Sequence, residues 1–189
     1  DIAARLSQWL SSGFKELGDT IGLGAGASLA MIIKHPNFCE NPQETSADVW
    51  INSGKKLAAN GSIMRTSAIG LLSDPKFVTA AADLSLITHT DPRCTVSCIL
   101  QSSFIHDIVY PDASNGVLLN TDIIIQNGIT RAKEYVTEFQ IDQNFNDEEL
   151  SDCKQIVVDI INSYSCNSAA KRLDEIMVKY KNKTYHLKK

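Results

Sequence analysis

Apolar residues recur at intervals of three and four along most of this 189-residue chain, and that spacing limits the fold more than any other feature. It places apolar side chains along one face of an α-helix. No stretch shows the sustained alternation of apolar and polar residues, bounded by hairpin turns, that is typical of strands. The sequence therefore predicts an all-α protein, a compact multi-helix orthogonal bundle of about eight helices.

Prolines, glycines and capping residues divide this pattern into predicted helices. Pro92 stands at a favoured first helical position, and Asn146 caps the acidic entry "NDEEL". The chain length suits one domain over residues 1–189. The predicted helices cover residues 2–14, 27–33, 43–57, 63–72, 75–88, 92–109, 118–139, 146–164 and 167–180.

Charge and cysteine usage limit the partners and the compartment. A net charge of −4 gives a nucleic-acid partner no support, and no apolar run reaches transmembrane length, so we expect no membrane partner. Five cysteines occur without a Cys-x-x-Cys pair or zinc spacing, which predicts reduced core thiols and a cytoplasmic protein. Cys94 and Cys98 would share one helix face. The lysine-rich end, residues 179–189, is interpreted as a solvated terminus.

The glycine-rich stretch "GLGAG", residues 22–26, precedes an apolar helix. Alternate glycines leave backbone N–H groups exposed, and with the positive end of a helix dipole these groups can bind a phosphate. The alternative is a tight turn with close helix packing. No strand precedes the stretch and no Lys-Ser/Thr pair follows it, so it is neither a Rossmann fingerprint nor a P-loop.

A second polar corner is "NGSIMR", residues 60–65, where Asn-Gly favours a turn before an apolar run. Asn60 could bind a ligand hydroxyl or carbonyl, and Arg65 could pair with an acid or a phosphate. The alternative is a capped helix start with Arg65 in an internal ion pair.

The third corner is "THTDPRC", residues 88–94, between two apolar helices. His89 ends the first helix, and a histidine in such a place is either a packing residue or part of a site. Asp91 and Arg93 could be a surface pair that contributes little stability. Three polar or glycine-rich helix ends in an all-α protein could converge on one cleft.

Taken together, these three stretches resemble the ADP-ribosylglycohydrolase family, which includes the dinitrogenase-reductase-activating glycohydrolase. "NGSIMRTSAIGLL" is similar to the family's "NGALMR" segment, "THTDPRC" to its "TH…P" corner, and "GDTIGLGAG" to its "GxGxG" stretch. Their order and spacing also match. The resemblance implies an all-α fold and a cleft that binds ADP-ribose or an ADP-ribosylated substrate. It also implies a hydrolase that cleaves the bond between C1 of the ribose and an acceptor side chain.

The resemblance assigns roles to matching positions of this sequence. Gly22, Gly24 and Gly26 would lie against the pyrophosphate. His89 would lie beside the nucleotide, contacting a phosphate or stacking.

The middle stretch supplies the remaining contacts by the same resemblance. Asn60 and Gly61 would contact the ADP-ribose, with Met64 and Arg65 shaping that wall of the cleft. One departure lies just before them, because Ala59 stands where the family often has glycine.

The resemblance also implies a pair of Mg²⁺ or Mn²⁺ ions beside the ribose. The family's metal ligands come from an early "T-D-D-T" and a late "G-D-A-D-T" segment, and this sequence has neither, nor any Asp-Asp or Asp-x-Asp. Hard divalent cations need several carboxylate oxygens, so we expect no metal site in this chain. The sequence also starts within a helical pattern. These features predict the central part of a longer enzyme, or a shortened, non-catalytic paralogue that binds ADP-ribose or serves as a structural subunit. Either would leave apolar faces for a partner chain or self-association.

Overall fold

The computed structural model describes residues 2–111 and 121–138. All the regular secondary structure within these residues is helical. The all-α prediction is therefore confirmed for the described part of the chain. Short 3₁₀ turns follow α1 and α4, at Lys15–Leu17 and Ser67–Leu71. The α-helices are α1 Ile2–Ser12, α2 Ala27–Ile33, α3 Pro42–Asn52, α4 Gly61–Thr66, α5 Phe77–Leu86, α6 Pro92–Val109 and α7 Thr121–Glu138.

Helix α6 has the predicted bounds because both of its start signals are used. Pro92 is the first helical residue, and the Asp91 side chain accepts a hydrogen bond from the Arg93 N–H at 3.0 Å. Helix α2 also has its predicted bounds.

Helix α3 ends earlier than residue 57, where the prediction placed its end. Gly54 and Lys55 have φ angles of 73° and 59°, in the left-handed region that ends a right-handed helix. The Lys55 N–H then bonds back to the Trp50 carbonyl at 3.0 Å, which closes the last turn. The residues before α4 are consequently a loop.

The predicted helix over 63–72 is also different in the structure. Helix α4 starts earlier, at Gly61, and gives way to a 3₁₀ turn after Thr66. The tighter turn allows Gly70 to lie against α6, where an added Cβ would be 2.6 Å from the Ser102 carbonyl oxygen. The end of α1, the start of α3 and both ends of α5 differ from the prediction by one or two residues, and the predicted ends of the helix over 118–139 lie outside the described residues. The helices predicted over 146–164 and 167–180, and the lysine-rich end, lie outside the described residues.

The main core lies where α5, α6 and α7 meet. Val96, Ile99 and Leu100 are at most 2% exposed and share one face of α6. A side chain of this kind contributes about 1.5–3 kcal/mol when fully buried. A second cluster joins α1 and α2 to the end of α5, since Ile87 packs against Ala3, Ile32 and Phe38.

The described cysteines only partly match the prediction of reduced core thiols. Cys94 and Cys98 are free and buried on one face of α6, as expected for residues four apart, but Cys39 is exposed. Of the helices in residues 2–111 and 121–138, none combines the length and apolarity that a membrane span requires.

Candidate functional site

Helix α4 begins at an exposed corner formed by Asn60 and Gly61. Asn60 occupies the N-cap position, yet its side chain makes no capping hydrogen bond. The capping interpretation of Asn60 is therefore wrong for its side chain. Its amide instead faces solvent at the start of the helix, where it can bind another molecule.

Arg65, one turn further along α4, extends to the last turn of α5. Its NH2 group donates to the Leu84 carbonyl at 2.7 Å, to the Ser85 carbonyl at 3.3 Å, and to Thr88 Oγ1. All three acceptors are neutral, so the predicted internal ion pair is wrong. Carbonyls at a helix C-terminus lack intrahelical donors and favour a cation, which explains this placement. Burial of the guanidinium lowers the pKa of Arg65 to about 10.

His89 is buried directly beside this arginine. Its side chain is 5% exposed, and its Nδ1 lies 2.8 Å from Thr88 Oγ1. Burial, with a smaller contribution from the positive charge of Arg65, lowers the pKa of His89 to about 4. The imidazole is consequently neutral near pH 7.

The start of α4 lies against the His89 ring. A Cβ added to Gly61 would be 3.5 Å from both Cε1 and Nε2 of His89. The structure thus brings together Gly61, Arg65 and His89 from two separated stretches of sequence. Met64 belongs to the same helix and is 74% exposed, on the outer side of this corner.

The glycine-rich stretch is placed differently. Gly22 packs against α1: its N–H donates to the Leu10 carbonyl at 3.2 Å, and a Cβ there would be 2.6 Å from the Trp9 carbonyl oxygen. Close helix packing, the alternative interpretation, therefore describes Gly22. Gly24 and Gly26 are exposed, with nothing within 4 Å of an added Cβ. The contacts of Gly22 are with α1.

Asp91 contradicts the interpretation of a weak surface pair with Arg93. Its side chain is only 4% exposed and accepts two bonds from the Arg93 guanidinium, at 2.9 and 2.8 Å. It also accepts from Trp50 Nε1 at 3.3 Å, which ties α3 to the start of α6. The sequence did not single out Trp50 or Thr88 as site residues. Only the position of Thr88 next to His89 could have indicated its role.

The comparison with known families identifies the family of the chain. The sequence model of the ADP-ribosylglycohydrolase family matches residues 1–181. The chain belongs to the ADP-ribosylglycohydrolase family. No curated protein and no solved structure matched the chain.

Members of the ADP-ribosylglycohydrolase family generally depend on a metal. In the part of this member that the structure describes, no group of three or more His, Cys, Asp or Glu side chains could hold one. The most buried carboxylates are already used: Asp91 pairs with Arg93, and Asp107 pairs with Arg131. The described residues therefore do not fit a metal centre.

Proposed function

We propose that this ADP-ribosylglycohydrolase-family protein binds ADP-ribose, or the ADP-ribosyl group of a modified protein, at the corner where α4 begins. The carrying observation is the contact between Gly61 and the buried, neutral His89, beside the free amide of Asn60. Hydroxyls and phosphate oxygens are the groups that an exposed amide and an imidazole N–H bind.

The glycine-rich stretch is proposed as the wall for the pyrophosphate. Exposed Gly24 and Gly26 leave room for a ligand to approach the backbone. Ile87, two residues before His89, packs against the cluster that includes Ile32 and Ile33 of α2, the helix that these glycines precede. This packing supports a common cleft for the glycines and the α4 corner. Met64 and Arg65 would form the side of the cleft, Met64 from its exposed face and Arg65 from behind.

For the whole enzyme, we propose hydrolysis of the bond between ADP-ribose and its acceptor, with the Mg²⁺ ligands supplied by residues outside those described. The second candidate is a non-catalytic subunit that binds ADP-ribose. It is favoured by the commitment of Asp91 and Asp107 to arginines. We expect this 189-residue chain to release no ADP-ribose from a modified protein when Mg²⁺ is added. Mg²⁺-dependent turnover by the purified chain would exclude the non-catalytic candidate.

Binding can be tested by calorimetry with ADP-ribose on the wild type and on Asn60→Ala. We expect Asn60→Ala to weaken binding about tenfold, the effect of one lost hydrogen bond of about 1.4 kcal/mol. Asn41→Ala is the matched control, because Asn41 is also an exposed N-cap asparagine without a capping bond. Equal affinities in Asn60→Ala and the wild type would remove Asn60 from the site.

A protein partner or self-association is proposed for the exposed apolar side chains near the N-terminus. Phe14, Leu17 and Leu23 are 52%, 77% and 69% exposed. Sedimentation velocity tests this proposal: mass that rises with concentration supports association of copies, and a stable monomer at all concentrations argues against it.

A further inference from the structure

Arg65 and His89 are joined by one hydroxyl group, that of Thr88. Arg65 NH2 donates to Thr88 Oγ1, and a guanidinium has no acceptor atom, so Oγ1 accepts at this contact. His89 Nδ1 lies 2.8 Å from the same oxygen. The direction of this second hydrogen bond depends on which imidazole nitrogen carries the proton.

The burial of Thr88 decides between the two directions. Its side chain is 2% exposed, and its hydroxyl has one proton to donate. If Nδ1 were protonated, Oγ1 would accept twice, and its own proton would have no acceptor among the described residues. An unmade buried donor costs about 1–3 kcal/mol. Donation from Thr88 to Nδ1 satisfies all three groups.

We infer that Arg65 is a positioning residue which, through Thr88, fixes His89 as the tautomer that carries its proton on Nε2. The guanidinium is the fixed end of this arrangement, because the Leu84 and Ser85 carbonyls at the end of α5 also hold it. Burial also keeps the imidazole neutral, so a single ring proton is present to be placed.

This tautomer determines what the α4 corner can bind. Nε2 is one of the two ring atoms closest to Gly61, at 3.5 Å from the position of an added Cβ. His89 therefore offers an N–H donor toward the corner and accepts only from Thr88. This step rests on the proposed function: the group that accepts from Nε2 is an oxygen of ADP-ribose. Arg65 itself does not contact the ligand.

Long-range ¹H–¹⁵N spectra of the imidazole rings test the tautomer without any ligand. The sequence has four histidines, and His89→Gln identifies the signal of His89 by its loss. In the wild type we expect an unprotonated, acceptor-type Nδ1 and a protonated Nε2. A protonated Nδ1 on neutral His89 would overturn the inference, whatever the variants do.

Variants test the role of the hydroxyl and of the arginine. We expect Thr88→Val to shift His89 toward the Nδ1-protonated form, whereas Thr88→Ser keeps the wild-type spectrum. Thr90→Val is the matched control, since the Thr90 hydroxyl donates to Ser46 at 3.0 Å and does not serve His89. Arg65→Met should also mix the tautomers, because the Leu84 carbonyl then loses its arginine donor and can accept the Thr88 proton one helical turn away. Wild-type tautomers in folded Thr88→Val and Arg65→Met would contradict the positioning role.

Calorimetry with ADP-ribose separates this inference from the proposed function. We expect Thr88→Val to weaken ADP-ribose binding about tenfold, as one hydrogen bond does, and Thr88→Ser and Thr90→Val to stay within about twofold. Absence of ADP-ribose binding by the wild type would overturn the proposed function, while the spectra would still decide the tautomer. Unchanged affinity in Thr88→Val with a shifted tautomer would overturn the role of Nε2 as the ligand donor.

Discussion

Two partly buried arginines lie near opposite ends of α6, and they differ in what they bind. Near the start of α6, Arg65 donates to neutral carbonyls and to a hydroxyl. At the end of α6, Arg131 pairs with the Asp107 carboxylate at 2.8 Å. The first arginine remains an uncompensated positive charge and disfavours protonation of the histidine beside it. The second is neutralised by its partner, which produces a fixed structural contact.

The groups around the two arginines also differ. At the far end, the Phe77 ring stacks on His106 at 4.2 Å, and the Arg131 guanidinium lies 5.4 Å from the Phe77 ring centre. Burial opposes ionisation of Asp107, but hydrogen bonds from Arg131 and Asn127 hold the pKa of its carboxyl below the usual value. The groups that hold Arg65 and His89 are thus neutral and polar, although the Asp91–Arg93 ion pair follows two residues after His89, whereas Arg131 belongs to an ion pair beside stacked rings.

The largest expected effect is the loss of stability on acidification through His89. The pKa of His89 falls from 6.5 to about 4 on folding, so the unfolded chain binds more protons between these values. The free energy of unfolding should therefore fall by about 3 kcal/mol as the pH drops through this range. Urea unfolding at several pH values measures this. His89→Gln should lack this loss, and parallel curves for the two proteins would exclude His89 as its source.

Replacing the two arginines by methionine should separate the two ends of α6 by pH. Arg65→Met removes the donor of the Leu84 carbonyl and of Thr88 Oγ1 and should cost about 2 kcal/mol at neutral pH, while the Ser85 carbonyl keeps its bonds from the backbone. Its deficit should shrink between pH 6.5 and 4, because His89 is easier to protonate without the nearby charge. Arg131→Met should cost about 1 kcal/mol at neutral pH, and that deficit should shrink only where Asp107 becomes protonated, since the arginine holds the pKa of this carboxyl below its usual value. The same pH dependence for both variants would contradict the division between the two ends.

Glycine substitutions have the smallest expected effects on stability. They test how tightly the residues near each end of α6 are packed. In Gly128→Ala, the new Cβ would be 2.5 Å from Phe104 Cε1. The required shift costs more than the gain in helix propensity, for a net loss of about 1 kcal/mol. In Gly61→Ala, the Cβ stays at an ordinary 3.5 Å from His89, so stability should change by only about 0.5 kcal/mol. Thermal unfolding compares the two variants, and a larger loss in Gly61→Ala would show that this corner is as tightly packed as the far end.

The proposed site adds a second measurement for Gly61→Ala. The new methyl group would lie beside Nε2 of His89, so ADP-ribose binding should weaken while the fold stays intact. Asn41→Ala, at an exposed position outside the proposed site, serves again as the control and should leave ADP-ribose binding unchanged.

Local signals predicted much of the fold. Pro92, with Asp91 before it, fixes the start of α6 because ring geometry and capping act within a few residues. The early end of α3 had a signal in Ser53-Gly54, but apolar residues beyond it extended the predicted pattern to residue 57. The change to a 3₁₀ turn after Thr66 had no signal in the local sequence. It depends on the contact between Gly70 and α6, which is far away in sequence.

The sequence predicted which residues would lie close together at the candidate site, but not their hydrogen-bond partners. The sequence singled out Gly61, Arg65 and His89, and the structure places them together. The partners of Arg65 could not be predicted, since a carbonyl at a helix end is present in every helix and leaves no mark on the sequence. Gly22 shows why the sequence left two interpretations open: a phosphate-binding pattern and a packing pattern require the same residue, and the structure shows the packing contact.

The thiols of α6 provide a chemical measure of how often the α4 corner opens. Cys94 Sγ lies 3.3 Å from the Ala59 carbonyl oxygen, and Cys98 Sγ lies 3.4 Å from Ser62 Oγ, so both are covered while α4 is docked. Thiolates react with labelling reagents, and burial, together with the negative charge of Asp91, raises the pKa of Cys94 to about 12. A thiol reagent should therefore label exposed Cys39 first and Cys94 only in molecules whose α4 has separated. The rate of that slower labelling reports the opening of the proposed ligand corner without any ligand present.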